Sequence, residues 1–243
     1  MIIDNYRRYG LKICDIYFAE NELDDYTADI IRYIQLKSNQ DTSNFITNTI
    51  NLNLSVEEIQ GQFRETVRNE IRQAENKHSV KTDFYYQPSI DSIVTFCSFY
   101  DSFAKNRKLA LSNRAKLFRL QEHVIITKCY INSEADLSYH LYLFDETRAR
   151  LLYSASIRSD DPVLNKIIPK ANKLLHNANI IALKEKGFQL YDFGGVSLQN
   201  DQVAGIDAFK LGFSKTLEYS KVTMKYGSLL GRIVLALAKK SKK

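Results

Sequence analysis

Between residues 55 and 77 apolar side chains recur at steps of three and four: Val56, Ile59, Phe63, Val67, Ile71 and Ala74. That spacing paints one face of a helix, and Ser55 with Glu58 forms a capping box at its start. A longer stripe runs through Val163, Leu164, Ile167, Ile168, Ala171, Leu174, Leu175, Ala178 and Ile181. Asp161-Pro162 opens it as an N-cap and first-turn pair, Pro169 predicts a kink, and Gly187 ends it. Elsewhere the period is two, with β-branched and aromatic residues alternating with polar ones. Strands are predicted at 11–19, within 29–37, and at 45–54, 122–131, 137–145, 149–157, 188–193 and 215–226. Weaker helical patterns cover 89–103 and 112–121, a short helix is predicted at 205–213, and "SLLGRIVLALAKKSKK" (228–243) reads as an amphipathic helix or a basic tail.

The order of these elements sets the fold class. Three successive strands, the last two joined by "ETR" as a hairpin, are followed by a long helix, a strand, a short helix and a strand. This is α+β with a mixed central sheet flanked by helices. The long helix between two strands is a crossover, expected to be right-handed. With 243 residues the chain suits one large domain or two small ones.

Composition changes this picture only in places. A content of 44% hydrophobic and 26% charged residues allows a sizeable core and argues against wholesale disorder. The net charge of +6 favours an anionic partner: a phosphorylated substrate, RNA or a membrane surface. Four lysines of "AKKSKK" (238–243) carry much of it. Cys14, Cys97 and Cys129 show no disulfide framework or zinc spacing, and the four histidines form no HxH or HxxxH pair, so no metal is expected. No signal peptide or membrane-length apolar run is visible, so a cytoplasmic protein is expected, with peripheral contact to an anionic membrane through the C-terminal lysines as a further expectation.

The candidate chemistry centres on "LYDFGGVSLQNDQVAGIDAFKLGFSK" (190–215). Gly194 and Gly195 follow a strand directly, where a positive φ or close approach of another backbone is often required. No phosphate-binding fingerprint is present, so a packed strand-end turn explains the glycines equally well. Asp192 within an apolar strand is either a hydrogen-bonded turn organiser or a charge facing a site. Lys210 either meets an anion or is solvated. Arg64, Arg68 and Arg72 share a helix face, but Glu65, Glu70 and Glu75 stand nearby, so a solvated and internally paired face is the simpler account. Tyr153 and Ser154 lie in "YSAS" without a nucleophile elbow, which argues against a serine hydrolase and leaves a strand surface that a substrate can approach. The 15 tyrosines and 13 phenylalanines fall at core spacing rather than in a base-stacking motif.

Three segments together resemble one family. They are "TINLNLSVEEIQGQFRETVRNEIRQAENKHSV" with its R-x(3)-R-x(3)-R-x-A run, "NIIALKEKGFQLYDFGG", and "GIDAFKLGF". Over residues 46–225 the chain resembles the FemAB-like branch of the GNAT acyltransferase superfamily, which includes peptidyltransferases that add amino acids to cell-wall precursors. The resemblance implies a GNAT-like fold with a truncated N-terminal half. It implies three regions: a partial GNAT-like half at 1–55, the acyltransferase domain at 56–225, and the basic terminus at 226–243. In that fold 149–157 is the fourth strand, 162–186 the long helix and 188–193 the fifth strand, and the fourth and fifth strands splay to admit an acyl donor.

The resemblance implies an N-acyl- or aminoacyltransferase acting on an amine of a cell-wall or polysaccharide precursor. Asp192 would orient or deprotonate the amine. Tyr153, Ser154, Tyr191, Gly194, Gly195, Lys210, Arg64, Arg68 and Arg72 would bind substrate. The donor would be an aminoacyl-tRNA or an acyl-CoA-type thioester, with no metal. "RSDDPVLN" (158–165) departs from the glycine-bearing pyrophosphate loop of CoA-using members. Aminoacyl-tRNA-using members have two full halves, and the first is short here. The alternative is a non-catalytic basic module that binds RNA or an anionic membrane.

Overall fold

A computed structural model describes residues 1–23, 27–131, 135–197 and 204–233. The chain divides into two compact units, one of residues 1–47 and 218–243, the other of residues 48–217. The chain passes between the units inside strand β4 (Phe45–Asn51) and at the start of β10 (Leu217–Tyr226).

In the first unit β1 (Ile2–Arg8) and β2 (Leu11–Tyr17) form an antiparallel hairpin. Its two-residue turn places Tyr9 at φ 52° and Gly10 at φ 78°, the pair of left-handed residues that matches the twist of a tight hairpin. The strand β1 is an addition to the sequence expectation. Strand β3 (Ile30–Lys37) runs parallel to β2 and antiparallel to β10. Cys14, Ile16, Ile31, Tyr33 and Leu36 form a small core here. The expected C-terminal helix is present over 229–233, while its lysines lie outside the described residues.

The second unit carries the sheet order β4-β9-β8-β7-β6-β5. Strands β5 (Lys81–Tyr86), β6 (Val124–Ile131), β7 (Ala135–Phe144) and β8 (Arg148–Ser156) make an antiparallel meander. Helix α5 (Pro162–Glu185) then crosses to β9 (Leu190–Gly195), which is parallel to β8. Asp161 caps α5 through Val163 N, and Gly187, at φ 86°, closes it. Gly187 N donates to Lys184 O and Phe188 N to Leu183 O, the paired bonds of a Schellman ending. Pro169 stands inside the helix without dividing it.

The helix predicted over 56–77 is broken. It forms α1 (Val56–Gly61), α2 (Glu65–Arg72) and a π turn at Gln73–Lys77. The cause is tertiary: Arg64 turns extended, with ψ 147°, and its N–H donates to Gly212 O at 2.8 Å. The apolar stripe survives the break, because Ile59, Phe63, Val67, Ile71 and Ala74 all enter one core with Leu175, Phe193 and Phe213. Burying each large side chain there contributes about 1.5–3 kcal/mol.

Helices α3 (Ile90–Arg107) and α5 occupy the two faces of the meander. Along β7, Tyr139 packs on Phe96 and Phe99 of α3, while His140 bonds to Asn172 of α5. That alternation is the period-two geometry of a strand. The unit also holds the short helices α4 (Arg114–Arg119) and α6 (Ala204–Lys210) and a 3-10 turn at Gln121–His123.

Candidate active site

Strands β8 and β9 pair over only three positions, Arg148 with Leu190, Ala149 with Tyr191 and Arg150 with Asp192. Beyond these, the two strands part while each continues. At the same place β8 carries a bulge: Leu141 faces Tyr153, but the next residue, Tyr142, faces Leu151, so Leu152 is the extra residue. A bulge bends its strand and leaves one residue outside the ladder. The parting opens a cavity of about 530 Å³.

Four elements wall this cavity. Arg150, Leu151, Leu152 and Ser154 come from β8, Asn172 and His176 from α5, and Phe193, Gly194 and Gly195 from β9. Gly205, Ile206, Phe209 and Lys210 come from α6, and Phe103 and Leu109 also line it. The lining is mostly apolar, with two cations and no carboxylate among the described residues.

Three residues at the end of β9 shape the opening. Asp192 is fully buried; one oxygen accepts from Gly194 N at 2.7 Å, and the other lies 3.3 Å from Arg148 Nη1. A side-chain oxygen bonded two residues on makes a tight local turn. That turn puts Gly194 at φ 78°, where a β-carbon would stand 3.1 Å from Leu151 O. Gly194 thus meets both requirements for glycine: a left-handed backbone and close approach of the opposite strand. Gly195 O accepts a hydrogen bond from Lys210 Nζ. Burial holds the Lys210 ammonium below its usual range, helped by Arg150 and opposed by Asp207 and Asp192.

The structure therefore brings Ser154, Gly194, Gly195 and Lys210 together at the cavity. Asp192 and Tyr191 lie immediately behind its wall. Tyr191 is fully buried, its hydroxyl 2.6 Å from His176 Nδ1 and 2.8 Å from Tyr142 OH. Tyr153 points to the opposite sheet face, against Tyr100 and Phe96, and its hydroxyl accepts from Asn113 N at 3.3 Å. The three arginines lie outside the lining. Arg64 begins α2, Arg68 donates to Phe63 O and Gly61 O at the helix break, and Arg72 donates to Asn69.

Residues that the sequence reading passed over are Arg150, Asn172, His176 and Phe209. Asn172, His176 and Asn179 carry a signal: polar side chains at steps of four and three on the buried stripe of α5. Burial pushes His140 down to about 4 and His176 well below the usual imidazole range, with His140 and Lys210 adding to the latter. Among the described residues no group of three or more His, Cys, Asp or Glu side chains is placed to hold a metal ion. No described helix is long and apolar enough to cross a membrane.

A crystal structure of FemX matches 97% of this chain and 85% of its own, at 13% identity and a TM-score of 0.67. The chain shares the fold of FemX. Two more solved structures share this fold. The C-terminal domain of a putative lysylphosphatidylglycerol synthetase from Agrobacterium fabrum covers 86% of this chain and 71% of its own, at 11% identity and a TM-score of 0.57. L-PGS from Bacillus licheniformis covers 85% and 71%, at 13% identity and a TM-score of 0.55. No family model and no curated protein matches the sequence.

Proposed function

We propose that this chain is an N-acyl- or aminoacyltransferase that moves an activated acyl group to an amine on a cell-wall or polysaccharide precursor. One observation carries the reading: β8 and β9 part beside a bulge and open a cavity of about 530 Å³. The size suits a small acyl group with part of its carrier. The same FemAB-like fold in FemX and in a lysylphosphatidylglycerol synthetase domain supports the class of chemistry.

In this reading the donor is an aminoacyl-tRNA or an acyl thioester. Its acyl group enters between the strands, against Leu151, Leu152 and Phe209. The cations Arg150 and Lys210, in a lining that has no carboxylate among the described residues, favour an uncharged or anionic acyl group over a cationic one. The amine attacks the carbonyl, and backbone N–H groups at the Leu152 bulge stabilise the developing oxyanion. Holding the two reactants aligned contributes several kcal/mol on the order expected for such reactions. Asp192 and Gly194 fix the strand end against which this happens, and Lys210 supplies positive charge to donor or acceptor.

The deciding experiment is a transfer screen, read by mass spectrometry. The full chain is incubated with aminoacyl-tRNAs or acyl-CoA esters, and with nucleotide-sugar or free amine acceptors. An acceptor gaining the mass of one acyl group, and losing that gain in Lys210→Ala, supports the reading. No acylated product from any donor overturns it.

A further inference from the structure

Behind the cavity wall runs a buried chain of polar groups that substrate positioning does not require. Asn172 and His176, one turn apart on α5, both reach the cavity, and the chain links them through the protein interior. His140 Nε2 donates to Asn172 Oδ1 at 2.7 Å. A carbonyl oxygen only accepts, so neutral His140 carries its proton on Nε2 and presents Nδ1 as an acceptor. Tyr142 OH lies 3.1 Å from that Nδ1 and 2.8 Å from Tyr191 OH. Tyr191 OH in turn lies 2.6 Å from His176 Nδ1. Asn179 Nδ2 donates to Tyr142 OH and to Thr127 Oγ1, both at 2.9 Å, which pins the middle of the chain. The other ring nitrogen of His176, Nε2, has no hydrogen-bond partner among the described residues, although the residue is only 2% exposed.

Two proton orders fit these contacts. In one, Tyr142 donates to His140 Nδ1, Tyr191 donates to Tyr142, and His176 Nδ1–H donates to Tyr191, leaving Nε2 with a free lone pair. In the other, Tyr142 donates to Tyr191, Tyr191 donates to His176 Nδ1, and Nε2 carries a proton. Rotation of two hydroxyls, with a shift of the imidazole proton, interconverts them. A buried imidazole that can present either a base or an acid through one ring nitrogen in a cavity wall has the properties of a proton shuttle.

We infer that His176 is a catalytic residue of the acyl transfer proposed above: its Nε2 takes the proton shed by the attacking amine and returns it to the departing carrier. The inference rests on the acyltransferase reading. The new bond joins the amine nitrogen to the acyl carbon, and the bond from that carbon to the carrier oxygen or sulfur breaks. The amine proton passes to Nε2 and then to that oxygen or sulfur, so nothing is oxidised and no proton is left over. Tyr191, Tyr142 and His140 are positioning residues that set which tautomer His176 presents.

The surroundings keep the shuttle empty at rest. Burial holds both imidazoles neutral and both tyrosine hydroxyls protonated. His140, Lys210 and the Tyr191 hydroxyl face His176 directly, Arg150 lines the same cavity, and Asp192 and Asp207 act on Lys210 in turn. The nearby Lys210 charge opposes lasting protonation, so a captured proton leaves again.

The test compares full-length wild type with His176→Gln and Tyr191→Phe. Transfer from aminoacyl-tRNA and aminoacyl thioester donors to glycinamide is followed in single turnovers across pH, with folding checked by near-UV circular dichroism. His176→Gln is expected to lower kcat about 10²–10⁴-fold, with KM retained and the acid limb of the profile lost. Tyr191→Phe keeps its ring against Phe193; it should lower kcat by less and shift that limb, and it decides the question should His176→Gln not fold. Wild-type rate and pH profile in both folded variants overturn the shuttle and leave the acyltransferase reading standing. No transfer by the wild type from any donor overturns both.

Discussion

Arg148 Nη1 lies 3.3 Å from Asp192 Oδ2 where β8 and β9 make the last part of their pairing, and the aspartate is fully buried. The second carboxylate oxygen holds Gly194 N, so one side chain ties the neighbouring strand to the turn that ends its own. Removing one member of a buried ion pair leaves the other charge poorly compensated, which costs about 3–5 kcal/mol. Asp192→Asn is therefore expected to lower unfolding free energy by about that much, measured by urea denaturation at neutral pH. A change below 1 kcal/mol, on the order of a surface pair, would show that the carboxylate's charge does not hold the strand end.

Gly194 is the other half of that device. Alanine there meets a left-handed backbone and a carbonyl 3.1 Å from its new β-carbon. The left-handed conformation alone costs about 1–2 kcal/mol for an L residue. Gly194→Ala should lower the melting temperature and, by pushing on Leu151, change the width of the opening. Gly205→Ala is the matched control, because its β-carbon meets nothing within 4 Å. Equal melting temperatures for the two variants would mean that the turn relaxes freely.

How far these features were legible in the sequence depended on whether their causes were local. Helix α5 was read to within a residue, because 24 residues of helical period end in a cap and a glycine. The break between α1 and α2 was invisible, since the apolar stripe continues across it and the cause is a bond from Arg64 to Gly212, far along the chain. Strand β1 was hidden because its buried positions include Asp4 while Ile3 is 38% exposed, which blurs the alternation. At the site, the two glycines and Lys210 were legible as turn chemistry. Tyr153 and Ser154 were read as a pair, yet adjacent strand residues face opposite ways. His176 has no metal-ligand spacing, and its signal is instead a polar position on the buried stripe of α5.

Acid should unfold this protein through its buried imidazoles. Burial lowers His140 from 6.5 in the unfolded chain to about 4 in the native one. Between those values the unfolded state binds a proton that the native state does not, so stability falls as pH falls through this window. The loss from His140 amounts to about 3 kcal/mol, and His176 is shifted in the same direction and adds to it. His140→Gln removes that titration while keeping an amide N–H for Asn172. Urea unfolding at pH 7 and pH 4.5 should then show a smaller loss in the variant than in the wild type. The same loss in both would place the acid sensitivity elsewhere.

Ser154 and Tyr153 offer the sharpest comparison, because one peptide bond separates a residue on the cavity from one on the other sheet face. Ser154 pairs with His140 across the ladder and lines the cavity on the α5 side. Its small side chain leaves room where the strands part, and leucine there would fill part of the cavity of about 530 Å³. Ser154→Leu should therefore weaken donor binding or abolish transfer while the protein stays folded. Tyr153→Phe removes only a hydroxyl that accepts from Asn113 N at 3.3 Å, and its ring remains 4.6 Å from that of Tyr100. It should cost about 0.5–1.5 kcal/mol and leave transfer unchanged. Paired melting curves and transfer rates separate the outcomes. An inactive Tyr153→Phe beside an active Ser154→Leu would move the site to the α3 face and overturn the placement of the acyl group between β8 and β9.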